Sequence, residues 1–185
     1  MNDDKKKWND MVEFMNQPVR NSVGDEPPVG PPEYDELSDL VRCIVQAADG
    51  RKAENIVALR VSKVTTLTSF LVIVSGNSRP QNQAISTAIQ KDLLELYQMR
   101  PGANGVAEGT PDSGWILLDY GSVMVHIMTP KSRLYYNVEG QWRDKGGEYM
   151  DLSKIILPNT VDGSERAQVG GTNRNLSQDD DPFWS

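Results

Sequence analysis

The sequence predicts an α/β fold, a small mixed β-sheet flanked by helices. Three observations point to it. Strand-length apolar runs occur at 56–61, 70–74 and, as a pair, within 115–128. Two segments, 37–48 and 85–96, carry apolar residues at helical spacing. The resulting order of helix, strand, strand, helix, hairpin, helix suits a sheet covered by helices, with strands too few and short for a doubly wound nucleotide-binding fold.

Residues 1–34 read as a flexible N-terminal extension with five prolines, Pro18, Pro27, Pro28, Pro31 and Pro32. The last four lie in a semi-rigid extended linker. Before it, Trp8, Met11, Val12, Phe14 and Met15 share one side of a helical turn or two. That piece is too short to be stable alone and is expected to dock on the domain or on a partner. The domain itself is expected over 35–158.

Leu37, Leu40, Val41, Ile44, Val45 and Ala48 give the first domain helix, ending near Asp49-Gly50. Ile56 to Val61 is a β-branched strand, and Phe70 to Val74, apolar throughout, is a central one. Ser75-Gly76-Asn77-Ser78 ends that strand, with Asn77 or Ser78 as helix cap and Pro80 in the first turn. Ile85, Ala88, Ile89, Leu93 and Leu96 form the buried stripe of this helix, which runs to about Tyr97.

A loop follows from Pro101 to Gly114, with a short edge strand expected at 106–108. The hairpin comes next: two strands within Trp115 to Met128, turning at Asp119-Tyr120-Gly121-Ser122. Pro130 to Tyr136 is a short helix with proline at its start. From Gly140 the pattern loosens, with Leu152, Ile155, Ile156 and Leu157 left for a last small element. Residues 159–185 read as a disordered acidic C-terminal tail, in which Phe183 and Trp184 form an out-of-place aromatic pair.

Charge bounds the function. Residues 1–36 carry 4 basic and 9 acidic side chains, 159–185 carry 2 and 5, and 37–158 carry 13 and 12. The domain is therefore near neutral, which argues against direct capture of a nucleic-acid backbone. The single cysteine, Cys43, excludes a disulfide framework and a cysteine zinc site, and reads as a small buried filler. No apolar run reaches membrane-spanning length. With no signal-peptide core, the expectation is a soluble chain, cytoplasmic or, alternatively, in a plastid stroma after trimming.

The hairpin holds the only histidine, His126, close in sequence to Ser122 and Asp119. A Ser-His-Asp triad needs its nucleophile on a sharp elbow, and Gly121-Ser122-Val123 lacks the second glycine. A metal site needs a second histidine or a cysteine set. Ser75-Gly76-Asn77-Ser78 lacks the lysine of a phosphate loop. Nucleotidyl transfer would use Gly121-Ser122 but needs two carboxylates on the adjacent strand, where Val123, Met124, Val125 and His126 stand. What remains is recognition. Trp115, Tyr120, Tyr135, Tyr136 and Trp142, interspersed with Lys131, Arg133 and Arg143, have the composition of an interface or of a core under the hairpin. Tyr120, at the turn, is expected to be the exposed one.

Over about 35–145 the chain resembles the Iojap family of ribosomal silencing factors. The matching pieces are Ala53-Glu54-Asn55-Ile56, Phe70 to Gly76 with Gln83-Ala84-Ile85, Glu108-Gly109, Trp115 to Gly121, Val125-His126, Arg133 with Tyr136-Asn137-Val138-Glu139, and Trp142. The resemblance implies a non-catalytic, nucleotidyltransferase-like fold without cofactor or metal. It also implies binding to ribosomal protein fourteen of the large ribosomal subunit, which blocks small-subunit joining and represses translation, with a role in large-subunit assembly as well. By match to the family motif, Trp115, Asp119, Tyr120, Gly121, His126, Arg133 and Tyr136 form the partner-binding region. No membrane and no sequence-specific nucleic acid is implied as partner, and homodimer formation when free is left open. The alternative is a divergent nucleotidyltransferase-like enzyme. The chain departs from the family pattern at Ser69 and Ser122, where acids are usual, so negative charge is lost near the proposed face.

Overall fold

The computed structural model describes residues 3–16 and 28–156. Five strands form one sheet in the order β3-β4-β2-β1-β5: β1 Glu54–Arg60, β2 Phe70–Ser75, β3 Trp115–Asp119, β4 Val123–Met128 and β5 Glu148–Tyr149. β2 and β4 run parallel at the centre, in register Val72↔Val125 and Ile73↔His126. The pairings β1–β2, β3–β4 and β1–β5 are antiparallel. The sheet is mixed and flanked by helices, as expected.

Alternation along each strand divides the apolar residues between two faces. Phe70, Val72, Val74, Val123, Val125, Ile127, Ile116 and Leu118 pack under α2 (Ser38–Gly50) and α3 (Arg79–Tyr97). Leu59, Leu71, Ile73, Trp115, Met124 and Met128 form the opposite cluster with Tyr136, Val138 and Trp142. Those last three belong to α4 (Pro130–Tyr136) and α5 (Val138–Asp144). β2 and β4 are buried along their whole length because both faces are covered.

The caps have side-chain causes. Ser78 Oγ accepts from Gln81 N, while Gln81 Oε1 accepts from Asn77 N, a reciprocal pair that starts α3 at Arg79 with Pro80 behind it. Gln81 Nε2 also donates to the carbonyls of Arg51 and Lys52, tying α3 to the turn after α2. Thr129 Oγ1 accepts from Ser132 N and starts α4 ahead of Pro130.

Several elements depart from expectation. The 106–108 strand is a single bridge, Glu108↔Leu117. From Gly140 to Ile156 the described chain still holds regular elements: α5 follows α4 across one left-handed residue, Asn137 (φ 46°), and anchors Trp142 in the core. Gly140 inside a helix obscures the pattern, yet a Cβ there would run into the Asn137 amide. β5 is only two residues long, held by Arg60. Leu152 is buried, but 153–156 form turns rather than a further helix or strand. Cys43 is half-buried rather than sealed, and burial and Asp92 raise its thiol pKa. The expected tail at 159–185, and Phe183 and Trp184 within it, lie outside the described residues, as do 17–27.

Candidate partner-binding face

The hairpin turn is built by Asp119. Its Oδ1 accepts from Gly121 N at 2.8 Å, Gly121 takes φ 77°, and Tyr120 N donates to Val123 O at 2.9 Å. The Ser122 carbonyl accepts from Ser69 N and Phe70 N, so the turn is fastened to the start of β2. Ser69 and Ser122 thus touch each other through the main chain.

The turn does not present Tyr120. That side chain is only 7% exposed and sits in the cluster under α2 and α3. Burial, and then Cys43, push its hydroxyl pKa up to about 12. The expectation of an exposed tyrosine fails because Tyr120 continues the alternation of Ile116 and Leu118, whose face lies under α2 and α3.

The opposite face gathers Trp115, His126 and Tyr136. Trp115 Nε1 donates to His126 Nδ1 at 3.1 Å, and the Trp115 and Tyr136 rings lie 4.9 Å apart. His126 is fully buried between Ile73 and Leu117 on the neighbouring strands. Burial, and then the Lys7 ammonium, push its pKa down to about 3. The ring is therefore neutral at physiological pH. Because Nδ1 accepts, the proton sits on Nε2, which has no partner among the described residues. The ring bonds to Trp115, while the Asp119 carboxylate is committed to the turn.

Arg133 lies at the edge of this face and is a linker. Its Nε and Nη2 take both Glu139 carboxylate oxygens at 2.9 and 3.0 Å, and Nη1 donates to Ser75 Oγ at 3.0 Å. Beside it opens a groove of about 550 Å³ lined by Asn55, Val57, Ser75, Pro130, Arg133 and Glu139. Leu134 and Tyr135 on the outer side of α4 are 84% and 77% exposed. Of the cluster singled out in the sequence, Trp115, Tyr120, Tyr136 and Trp142 are core, and Tyr135 is surface.

The seven carried-over residues thus divide. Trp115, His126 and Tyr136 share one face, with Arg133 beside them, Asp119 and Gly121 form the turn, and Tyr120 belongs to the other face.

One element on this face was legible only in part. α1 (Asp3–Asn16) docks on the domain, over the aromatic group. Lys7 Nζ donates to the Trp115 carbonyl at 2.8 Å and pairs with Asp4 at 3.4 Å. The Trp8 ring lies 5.5 Å from Tyr136, and Met11 is buried. Gly109, at φ 79°, makes room: a Cβ there would run into the Lys7 ammonium and the Trp115 carbonyl. Among the described residues no three His, Cys, Asp or Glu side chains converge as a metal site, and no helix is long and apolar enough to cross a membrane.

The family pattern described as "Ribosomal silencing factor during starvation" matches residues 34–179. A ribosomal silencing factor of Halalkalibacterium halodurans is 34% identical over 110 residues, 57% of this chain and 87% of that protein. The chloroplastic Iojap protein of Zea mays is 32% identical over 139 residues, 74% of this chain and 58% of that one. A crystal structure of a Chromobacterium violaceum protein superposes with a TM-score of 0.54 at 29% identity, covering 59% of this chain and 88% of that one.

Proposed function

The chain belongs to the ribosomal silencing factor family, and from that membership we propose that it binds the large ribosomal subunit through ribosomal protein fourteen and sterically keeps the small subunit from joining. Membership supports a silencing role in translation; the named contact and the block to joining are our extension of it. The observation that carries the reading is the family match over 34–179.

The geometry supports a recognition role. Trp115, Tyr136 and His126 are locked by packing and by one internal hydrogen bond, so the face is preorganised and loses little side-chain entropy on association. The aromatic centre is of the kind that dominates interface energies. Blocking subunit joining then requires only occupancy of the surface where the small subunit would dock. The same contact on free large subunits accounts for a part in their assembly. Relatives are named from bacteria and from chloroplasts; we place the action in a bacterial cytoplasm, with a plastid stroma as the alternative.

The test is a pull-down of isolated subunits and purified large-subunit proteins by the full chain. Retention of large subunits and of protein fourteen, with small subunits left in the flow-through, is the expected result. Retention of large subunits without any capture of purified protein fourteen would refute the named contact.

A further inference from the structure

α1 lies outside the span matched by the family, which begins at residue 34, yet it sits on the face of the matched domain that gathers Trp115, His126 and Tyr136. Its described contacts with that face are few. Among the described side chains Met11 is buried, Trp8 and Val12 are half-buried against the cluster with the Trp8 ring 5.5 Å from Tyr136, and Lys7, paired with the buried Asp4, donates one hydrogen bond to the Trp115 carbonyl. A helix of 14 residues does not persist in water by itself, so α1 forms by docking and is lost by undocking. Its tether is short: eleven residues, 17–27, lead to a segment fastened where Arg60 Nη2 donates to the Gly30 carbonyl at 2.6 Å. Because α1 belongs to the same chain, it returns to its site without a second encounter. A few contacts made within one chain give an arrangement that is mostly closed and can be opened by a competing partner.

We propose that α1 is the chain's own occupant of the ribosomal partner's face, and that the partner binds by displacing it. This rests on the ribosome-binding reading above. It also specifies the chemistry of the displacing element. An apolar side chain replaces Met11 in the cluster that holds Trp115 and Tyr136, and a lysine or arginine replaces Lys7 at the Trp115 carbonyl. The approach of that cation is what Gly109 leaves open. Self-occupancy sets a threshold for silencing: with α1 docked about nine times in ten, the apparent affinity for the partner falls about tenfold.

The experiment titrates purified large ribosomal subunits with the full-length chain and with full-length Met11→Asp, which places a charge at the buried contact. The expected result is about tenfold tighter binding by M11D, and weakening of that binding by a synthetic peptide of residues 3–16. Undocking is read separately from the ring-proton resonance of His126, the chain's one histidine. Trp8→Ala, which adds no charge at the contact of α1 with the domain, should shift affinity in the same direction and decides the matter if M11D loses its cooperative unfolding transition. Equal or weaker binding by an undocked, folded variant overturns the inference, because α1 would then be neutral or part of the interface. If no form of the chain binds large subunits, the ribosome-binding reading itself falls, and the inference with it.

Discussion

His126 gives the fold an acid-sensitive point whose size follows from its burial. The folded imidazole titrates at about 3, against 6.5 for the free side chain. Between those values the unfolded chain binds a proton that the folded chain excludes. Stability is therefore complete above pH 6.5 and falls as pH drops toward 3. Each unit is worth about 1.4 kcal/mol, so acidification to about pH 5 removes about 2 kcal/mol through this residue alone. The assay is urea unfolding at about pH 7.5 and about pH 5 for the natural chain and for His126→Gln. The glutamine amide of that variant offers a carbonyl to the Trp115 indole and does not titrate. Asp151 and Glu148 also sit below the ordinary carboxylate range: Asp151 through Ser153, and Glu148 because Lys63 and Arg60 outweigh its burial. They contribute mainly at lower pH and are common to both proteins. A loss about 2 kcal/mol larger in the natural chain is expected. Equal losses in the two would refute the burial argument and imply that the ring is hydrated.

Two further outcomes concern stability. Trp115→Ala removes a fully buried indole and its bond to His126, and should cost about 3–5 kcal/mol by chemical denaturation, whereas Trp115→Phe keeps most of the packing and should cost far less. Arg60→Met strips Asp35 and Glu148 of their shared cation, whose side chain is fully buried, and should cost about 3 kcal/mol, with amide exchange rising first at β5.

Four strands of the sheet and the two long helices over one of its faces, α2 and α3, were legible because periodicity and end signals agreed. Leu37 to Ala48 repeats at helical spacing, Phe70 to Val74 is apolar on both faces, and Ser78-Arg79-Pro80-Gln81 is a complete start signal. α5 was not, because the local rule penalises Gly140, whose role is to admit the side chain of Asn137, a residue whose left-handed conformation the pattern does not reveal. β5 was invisible for a related reason. Two residues carry no periodicity, and the strand exists through the fully buried guanidinium of Arg60, which donates to Glu148 Oε2 at 2.8 Å. Nothing in the run Ile56 to Val61 marks that arginine as buried.

The candidate site was legible as a set of residue types, less so as a surface. Period-2 alternation places Trp115 and Tyr120 on opposite faces, since they stand an odd number of positions apart along one strand and its turn. The family match carried both without that distinction. The docking of α1 had a sequence signal in Trp8, Met11 and Val12, but no signal for where it would land. That position follows from the Trp115 carbonyl, which accepts from both Ser113 Oγ and Lys7 Nζ, and from the space left by Gly109, which only the folded chain brings together.

The central claim is that this chain holds the large subunit apart from the small one. Purified subunits mixed under conditions that favour joining, with increasing amounts of the full-length chain, and resolved on a sucrose gradient, test it most directly. The account predicts a dose-dependent fall in joined ribosomes, with the chain comigrating with free large subunits. An unchanged joined fraction with the chain saturating the large subunit would contradict it.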